Sequence, residues 1–201
     1  MWARLESNTI VEILTRPKAL QIGGVQYPSN IFSMWTEAEL AVIGIVPVTI
    51  DNTNLKDKNY YINTDITYAY STETGKATGT YGTATAKAIA DTLYTAQDET
   101  DGLGTEGEVK AKGLKTLHKE SINTGAAGRL QPTDWMVVRA AEGGTAVPSS
   151  ITTKRAAVRT KANAMCVQID GAANVDALAA LYVYNDADPA VRPLGELPIV
   201  E

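Results

Sequence analysis

Pro148-Ser-Ser-Ile-Thr-Thr-Lys-Arg-Ala-Ala-Val-Arg-Thr-Lys-Ala-Asn-Ala-Met-Cys-Val-Gln-Ile-Asp170 is the longest helical pattern in the chain. Within it Val158, Ala162, Met165 and Ile169 recur at steps of four, three and four residues, which puts them on one helical seam. The spacing predicts a long helix that buries this seam and carries Cys166 beside it. Alanine buries little area, and at about 25 cal/mol per Å² an Ala-rich helix gains little alone. Such a helix needs close neighbours, in its own chain or in another subunit.

On the C-terminal side, Asn174 is placed to cap a short helix holding Val175, Leu178, Leu181 and Tyr182. Beyond it, residues 186–201 contain Pro189, Pro193 and Pro198, which block helix continuation and predict an extended arm. The arm also carries Val191, Leu194, Leu197, Ile199 and Val200, so it is expected to lie along a surface, of its own domain or of a neighbouring subunit.

On the N-terminal side, Pro132 to Ala141 reads as a short helix with proline in its first turn and Gly143-Gly144 past its end. Residues 106–123 read as a charged helix with Val109, Leu114, Leu117 and Ile122 as an apolar stripe, and with Gly113 as a weak point inside it. An acidic, glycine-rich connector, Asp98 to Gly104, precedes it. Thr83 to Gln97 has Ala, Ile and Leu at helical spacing and reads as a helix.

The first 82 residues have a different character. Trp2–Glu6 and Thr9–Leu14 flank Ser7-Asn8, a two-residue hairpin turn, and Gly23-Gly24 forms a second turn between residues 19–22 and 25–27. Thr36-Glu-Ala-Glu39 has capping-box spacing and predicts a short helix through Val42 that Gly44 ends. Ile45 to Ile50 resumes as a strand. Tyr60 to Asn63 and Thr67 to Tyr70 read as a further hairpin, and Ser71 to Gly82 as loop or edge strand. The fold class is therefore α+β. Its parts are a β-rich domain at 1–82 with one short helix, a helical domain at 83–185, and the extended arm at 186–201.

Composition narrows the function classes. Of 201 residues, 44% are hydrophobic and 20% charged, so a packed core is expected rather than disorder. The net charge of −5 argues against a phosphate backbone as partner. A single cysteine, Cys166, excludes an internal disulfide and suits a reducing compartment. No apolar run reaches the roughly 18 residues needed to span a bilayer. Met1-Trp-Ala-Arg-Leu-Glu6 lacks the basic start and apolar core of a signal peptide, so a soluble chain that is not secreted by the usual route is expected.

Gly102-Leu-Gly-Thr-Glu-Gly107 has the letters of the dinucleotide fingerprint, but acidic Asp98, Glu99, Asp101 and Glu106 surround it and no strand is expected before it. His118 is the only histidine, so any triad must use it; amid lysines it reads as a surface residue. With Cys166 alone beside it, a zinc site would need several carboxylates. Asp51, Asn52, Asn54, Asp57 and Asn59 make an oxygen-rich loop without the order of an EF-hand. Asp186 and Asp188 sit too close along an extended segment for a glycosidase pair. Trp2, Trp35 and Trp135 are read as core packing, with interface anchoring as the other option. No catalytic, cofactor-binding or metal-binding residue is assigned, and no cofactor or enzymatic activity is expected.

Two groups of residues carry a resemblance. The first comprises Asn8-Thr-Ile-Val-Glu-Ile13, Gly24-Val-Gln-Tyr-Pro-Ser-Asn-Ile-Phe-Ser-Met-Trp35 and Leu40-Ala-Val-Ile-Gly-Ile-Val-Pro-Val48. The second comprises Leu130-Gln-Pro-Thr-Asp-Trp135, Arg139-Ala-Ala-Glu142, Pro148 and Thr153-Lys-Arg-Ala-Ala-Val-Arg-Thr160. Together they resemble a loosely defined family of tailed-bacteriophage proteins, frequent in marine phages, whose members are tail-fibre-associated, tail-fibre assembly or virion proteins. Residues 51–107 lie outside the resemblance. It implies a structural component of a phage tail (adaptor, tip, baseplate or fibre-associated subunit), made in the host cytoplasm and located in the virion. Its implied partners are other tail or fibre proteins and further copies of itself, with no nucleic acid and no membrane insertion. The other role it allows is an assembly chaperone for the tail fibre that leaves before the particle is complete.

Overall fold

The first strand pair follows from its turn. In the computed structural model, which describes residues 1–200, Ser7 and Asn8 both take positive φ, +50° and +63°. That is the two-residue turn whose twist matches antiparallel strands. It joins β1 (Trp2–Glu6) to β2 (Thr9–Leu14), with Trp2 opposite Leu14 and Glu6 opposite Thr9. Gly23 and Gly24, also at positive φ, join β3 (Leu20–Ile22) to β4 (Val25–Tyr27) in the same way.

Two short helices follow, α1 (Ile31–Met34) and α2 (Glu37–Val42). Thr36 caps α2 reciprocally. Its hydroxyl accepts from the Glu39 amide, and its own amide donates to Glu39 Oε2 at 2.7 Å. Gly44 ends the helix at φ +79°, and a Cβ there would lie 2.7 Å from the Leu5 carbonyl oxygen. Glycine at this position lets the chain turn and lets β5 (Ile45–Asp51) run alongside β1.

β5 pairs antiparallel with β1 on one side and parallel with β8 (Lys76–Tyr81) on the other. β7 (Ile66–Ser71) pairs antiparallel with β8. The strand order is β2-β1-β5-β8-β7, and the outer strands β2 and β7 approach each other, so the sheet is curled. Alternate residues face two cores. Leu14, Leu20, Ile31, Leu40 and Ile45 pack under the helices, with Trp2 and Phe32 against them. Ala3, Val46 and Ala77 fill the other face, with Ile10, Ile13, Val48 and Tyr70.

The region after β5 corrects the sequence reading. Residues 67–70 do not pair with residues 60–63; the strand there, β6 (Tyr61–Ile62), is only two residues long. Residues 67–70 pair instead with Lys76–Tyr81, an inner strand where the sequence predicts a loop or edge strand. Small residues are required there. Ala77 is fully buried, and a Cβ on Gly79 would meet the Tyr68 ring at 2.7 Å and the Ile50 side chain at 2.8 Å. The tyrosines and isoleucines of neighbouring strands supply the volume that this strand lacks.

The chain divides into two compact units, Met1–Thr85 and Ala86–Glu201. The short strand β9 (Thr85–Ala86) lies at the division. The second unit does not begin with the helix expected over 83–97. That segment holds β10 (Thr92–Leu93), and α3 (Ala96–Thr100) starts only after it. Its backbone has another use. The carbonyls of Ala88 and Ile89 accept from the amides of Leu114 and Lys115, two of the orphan donors at the start of α4 (Leu114–Leu130). Asp91 completes the cap, accepting from the Gly113 amide at 2.7 Å and the Thr116 hydroxyl at 2.9 Å. Tertiary hydrogen bonding overrides the local helical pattern.

The same contact explains why α4 begins at Leu114 rather than at 106. Gly113 is the residue before the helix, not within it, and a Cβ there would lie 2.3 Å from the Ala90 backbone. Val109 belongs to β11 (Val109–Ala111), paired with β10, and is exposed. Leu114 and Ile122 of the expected stripe are buried, whereas Leu117 is exposed.

α4 packs on α6 (Ser149–Gly171), whose seam of Val158, Ala162, Met165 and Ile169 is buried as predicted. Between them a single 3-10 turn, Gln131–Thr133, leads into α5 (Asp134–Ala141). Asn174 caps α7 (Val175–Ala180) through its side chain. The C-terminal segment lies against its own unit. Leu194 is fully buried, its amide donates to the Leu181 carbonyl, and the Pro193 carbonyl accepts from Gln168. No helix is long and apolar enough to cross a membrane among the described residues.

Candidate functional site

α5 is the element whose surface is least explained by its own fold. None of its eight residues is buried. Trp135 is 54% exposed and Val138 55% exposed, and Val137 is exposed beside them. Trp135, Val138 and Arg139 fall three and four residues apart, on one face. The Arg139 guanidinium stacks over the indole at 4.8 Å from the ring centroid. An apolar face normally anchors a surface helix; here it points away from the unit.

What anchors α5 is Arg155, reaching across from α6. Only 5% of it is exposed. It donates to the Leu130 carbonyl at 2.7 Å, the Thr133 hydroxyl at 2.6 Å and Asp134 Oδ1 at 2.7 Å. Thr133 in turn donates to the Leu130 carbonyl. One guanidinium thus ties the end of α4, the 3-10 turn and the first residue of α5 to α6. The sequence reading missed this residue. The available signal was its position three residues before Val158, on the buried seam, where an arginine needs partners. Those partners come from Leu130 to Asp134, so two of the stretches quoted for the resemblance, residues 130–135 and 153–160, meet in this one knot.

The other residues singled out in the sequence have structural places. Gly102 to Gly107 forms the turn that links α3 to β11, with Gly102 and Gly107 at positive φ and the Tyr94 ring against Gly104. Asp51 closes a local turn by accepting from the amide and hydroxyl of Thr53, Asp57 does so with the Asn59 amide, and Asn54 donates to the Tyr81 carbonyl. Among the described residues no three His, Cys, Asp or Glu side chains converge on a metal-sized space. Asp186 and Asp188 lie in a bent, exposed stretch.

His118 is only partly at the surface. It is half-buried, with Nδ1 2.7 Å from the Tyr182 hydroxyl, and burial holds its pKa below the usual imidazole value. Arg192 stacks over both Tyr182 and Tyr184 and pairs with Glu196, which accepts from the Tyr184 hydroxyl. An open depression of about 460 Å³ borders this network, lined by Val183, Tyr184, Val191 and Pro193 among others. Cys166 is half-buried beside Asn123, and burial pushes its thiol pKa up, which disfavours the reactive thiolate.

The tryptophans divide. Trp2 packs on Phe32 at 4.7 Å between ring centroids, as core packing requires. Trp35 meets Tyr27 edge-on but stays part-exposed, next to exposed Met34 and Val42 and a depression of about 340 Å³. Trp135 stands outside any core, contrary to the packing expectation for it.

The hairpin of β10 and β11 carries the clearest electrostatic feature. Thr95 and Asp98 form a reciprocal cap for α3, and Lys110 pairs with Asp98 at 2.7 Å. The Lys110 hydrogen bond, followed by those of Thr95, lowers the Asp98 pKa from 3.8 to about 2. A carboxyl depressed in the folded state stabilises it above the unfolded pKa and loses that contribution as pH falls through the folded value. The urea midpoint of Asp98→Asn should therefore lie below wild type above about pH 4, and the gap should close as pH falls to about 2. A gap unchanged across that window would contradict the assignment.

Comparison of the chain with family models, with curated proteins and with solved structures gives no match.

Proposed function

We propose that this chain is a non-catalytic structural component of a bacteriophage tail, an adaptor, tip, baseplate or fibre-associated subunit, and that it works through protein–protein contacts. The observation that supports a contact role is the outward face of α5, where a tryptophan, a valine and a stacked arginine are displayed on a helix held in place by Arg155. Exposed aromatic and arginine side chains are the types that dominate binding energy when an interface buries them. The phage context rests on the sequence resemblance described above.

The reading is tested on particles. Mass spectrometry of purified, DNA-filled virions should find peptides of this chain at several copies per particle, since tails are built on rotational symmetry. Their absence from finished virions, together with co-purification with fibre protein from infected-cell lysate, would replace this reading with that of an assembly chaperone.

A further inference from the structure

The second unit presents two surfaces of opposite sign that match in chemistry. One is the α5 face, with Trp135 and Val138 exposed and Arg139 stacked on the indole. Arg159 extends it, at the rim of an open depression that also touches Val137. Among the described residues neither Arg139 nor Arg159 has a carboxylate partner, and Arg139 Nε is enclosed with no acceptor. Two exposed carboxylates adjoin this face: Asp134, which pairs with Arg155, and Glu142, one residue past α5.

The other surface is the loop between α3 and β11. Asp101, Glu106 and Glu108 are exposed there, and none has a cationic partner among the described residues. Leu103 stands among them, 59% exposed. The loop combines unpaired carboxylates with an exposed aliphatic side chain, and the α5 face combines unpaired guanidiniums with exposed apolar ones. Opposite charge around apolar centres is the arrangement that fixes register between partners.

We propose that copies of this chain associate head to tail, the Asp101–Glu108 loop of one seating on the α5 face of the next. The contact is heterologous: each copy keeps one free loop and one free face, so the assembly closes as a ring or continues as a filament. It extends the reading above, which calls for several copies in one assembly, but is tested separately, on purified chain rather than on virions.

Sedimentation velocity of the full chain at roughly 100 µM should show concentration-dependent association, as for a contact with Kd in the micromolar range. Raising salt from about 0.15 M to about 1 M shortens the screening length from about 8 Å to about 3 Å and should weaken association at least about tenfold. A face variant, Arg139→Glu with Arg159→Glu, and a loop variant, Glu106→Lys with Glu108→Lys, should each be monomeric alone. Mixed, they should associate again, because the loop of the first and the face of the second are intact and the two reversed surfaces are also opposite in charge. Trp135→Ala, which changes no charge, should weaken wild-type association by about tenfold or more. Circular dichroism identical to wild type will show that each variant is folded. A monomeric wild type at this concentration overturns the proposal. So does association that survives in the folded variants, or a mixture that stays monomeric.

Discussion

Met165→Asp should abolish the helical circular dichroism of the second unit. Met165 is 1% exposed, between Ala162 and Ile169 on the buried seam of α6, the helix that packs against α4. The seam residues on either side of it, Ala162 and Ile169, are apolar and Arg155 is committed to the Leu130–Asp134 turn, so a carboxylate there would have no partner. An unpaired buried charge costs more than about 4 kcal/mol, comparable to the whole stability of many domains. Met165→Leu keeps volume and should cost less than about 1.5 kcal/mol. Urea titrations followed at 222 nm distinguish the two. An aspartate variant with a wild-type midpoint would mean that the seam is not packed as described.

Arg155→Ala should be the next most damaging change, by a different route. It removes three charge-assisted hydrogen bonds, to the Leu130 carbonyl, Thr133 and Asp134. The Asp134 side chain is half in solvent and can rehydrate, but the Leu130 carbonyl and the buried Thr133 hydroxyl lose a donor in a dry setting. A loss of about 2–3 kcal/mol is expected. Because α5 buries none of its own residues, the damage should concentrate there. Hydrogen exchange should speed up across residues 134–141 more than across α4 or α6. Arg155→Lys should recover only part, since an ammonium cannot reproduce the planar fork. Uniform protection in the alanine variant would show that something other than Arg155 holds α5.

Local chemistry made much of the fold legible. Ser7-Asn8 and Gly23-Gly24 announced turns because few other residues accept positive φ. Thr36 with Glu39, and Asn174 before Val175, announced helix starts because the capping groups are in the sequence itself. The α6 seam was readable because its period is unbroken. The failures share a cause: the groups that decide them lie elsewhere in the chain. Residues 83–97 carry helix-forming residue types, yet Ala88, Ile89 and Asp91 spend their acceptors on α4. Residues 76–81 look like a loop because they are small, and they are small because Tyr68 and Ile50 need the space. His118 looked exposed among lysines because nothing near it in sequence foretold Tyr182. The anchor of α5 was hidden for the same reason, although an arginine on an apolar seam was a visible anomaly.

The capping of α4 by Asp91 also bears on the order in which the protein is made. Gly113 and Thr116 take their partner from 22 and 25 residues earlier in the chain. During synthesis the strap of Ala88 to Asp91 has therefore left the ribosome before Leu114 does. The first turn of α4 meets its acceptors as it emerges, whereas the α6 seam that covers it begins only at Val158, 44 residues after Leu114. The nascent helix thus has a fixed starting residue before it has a packing partner.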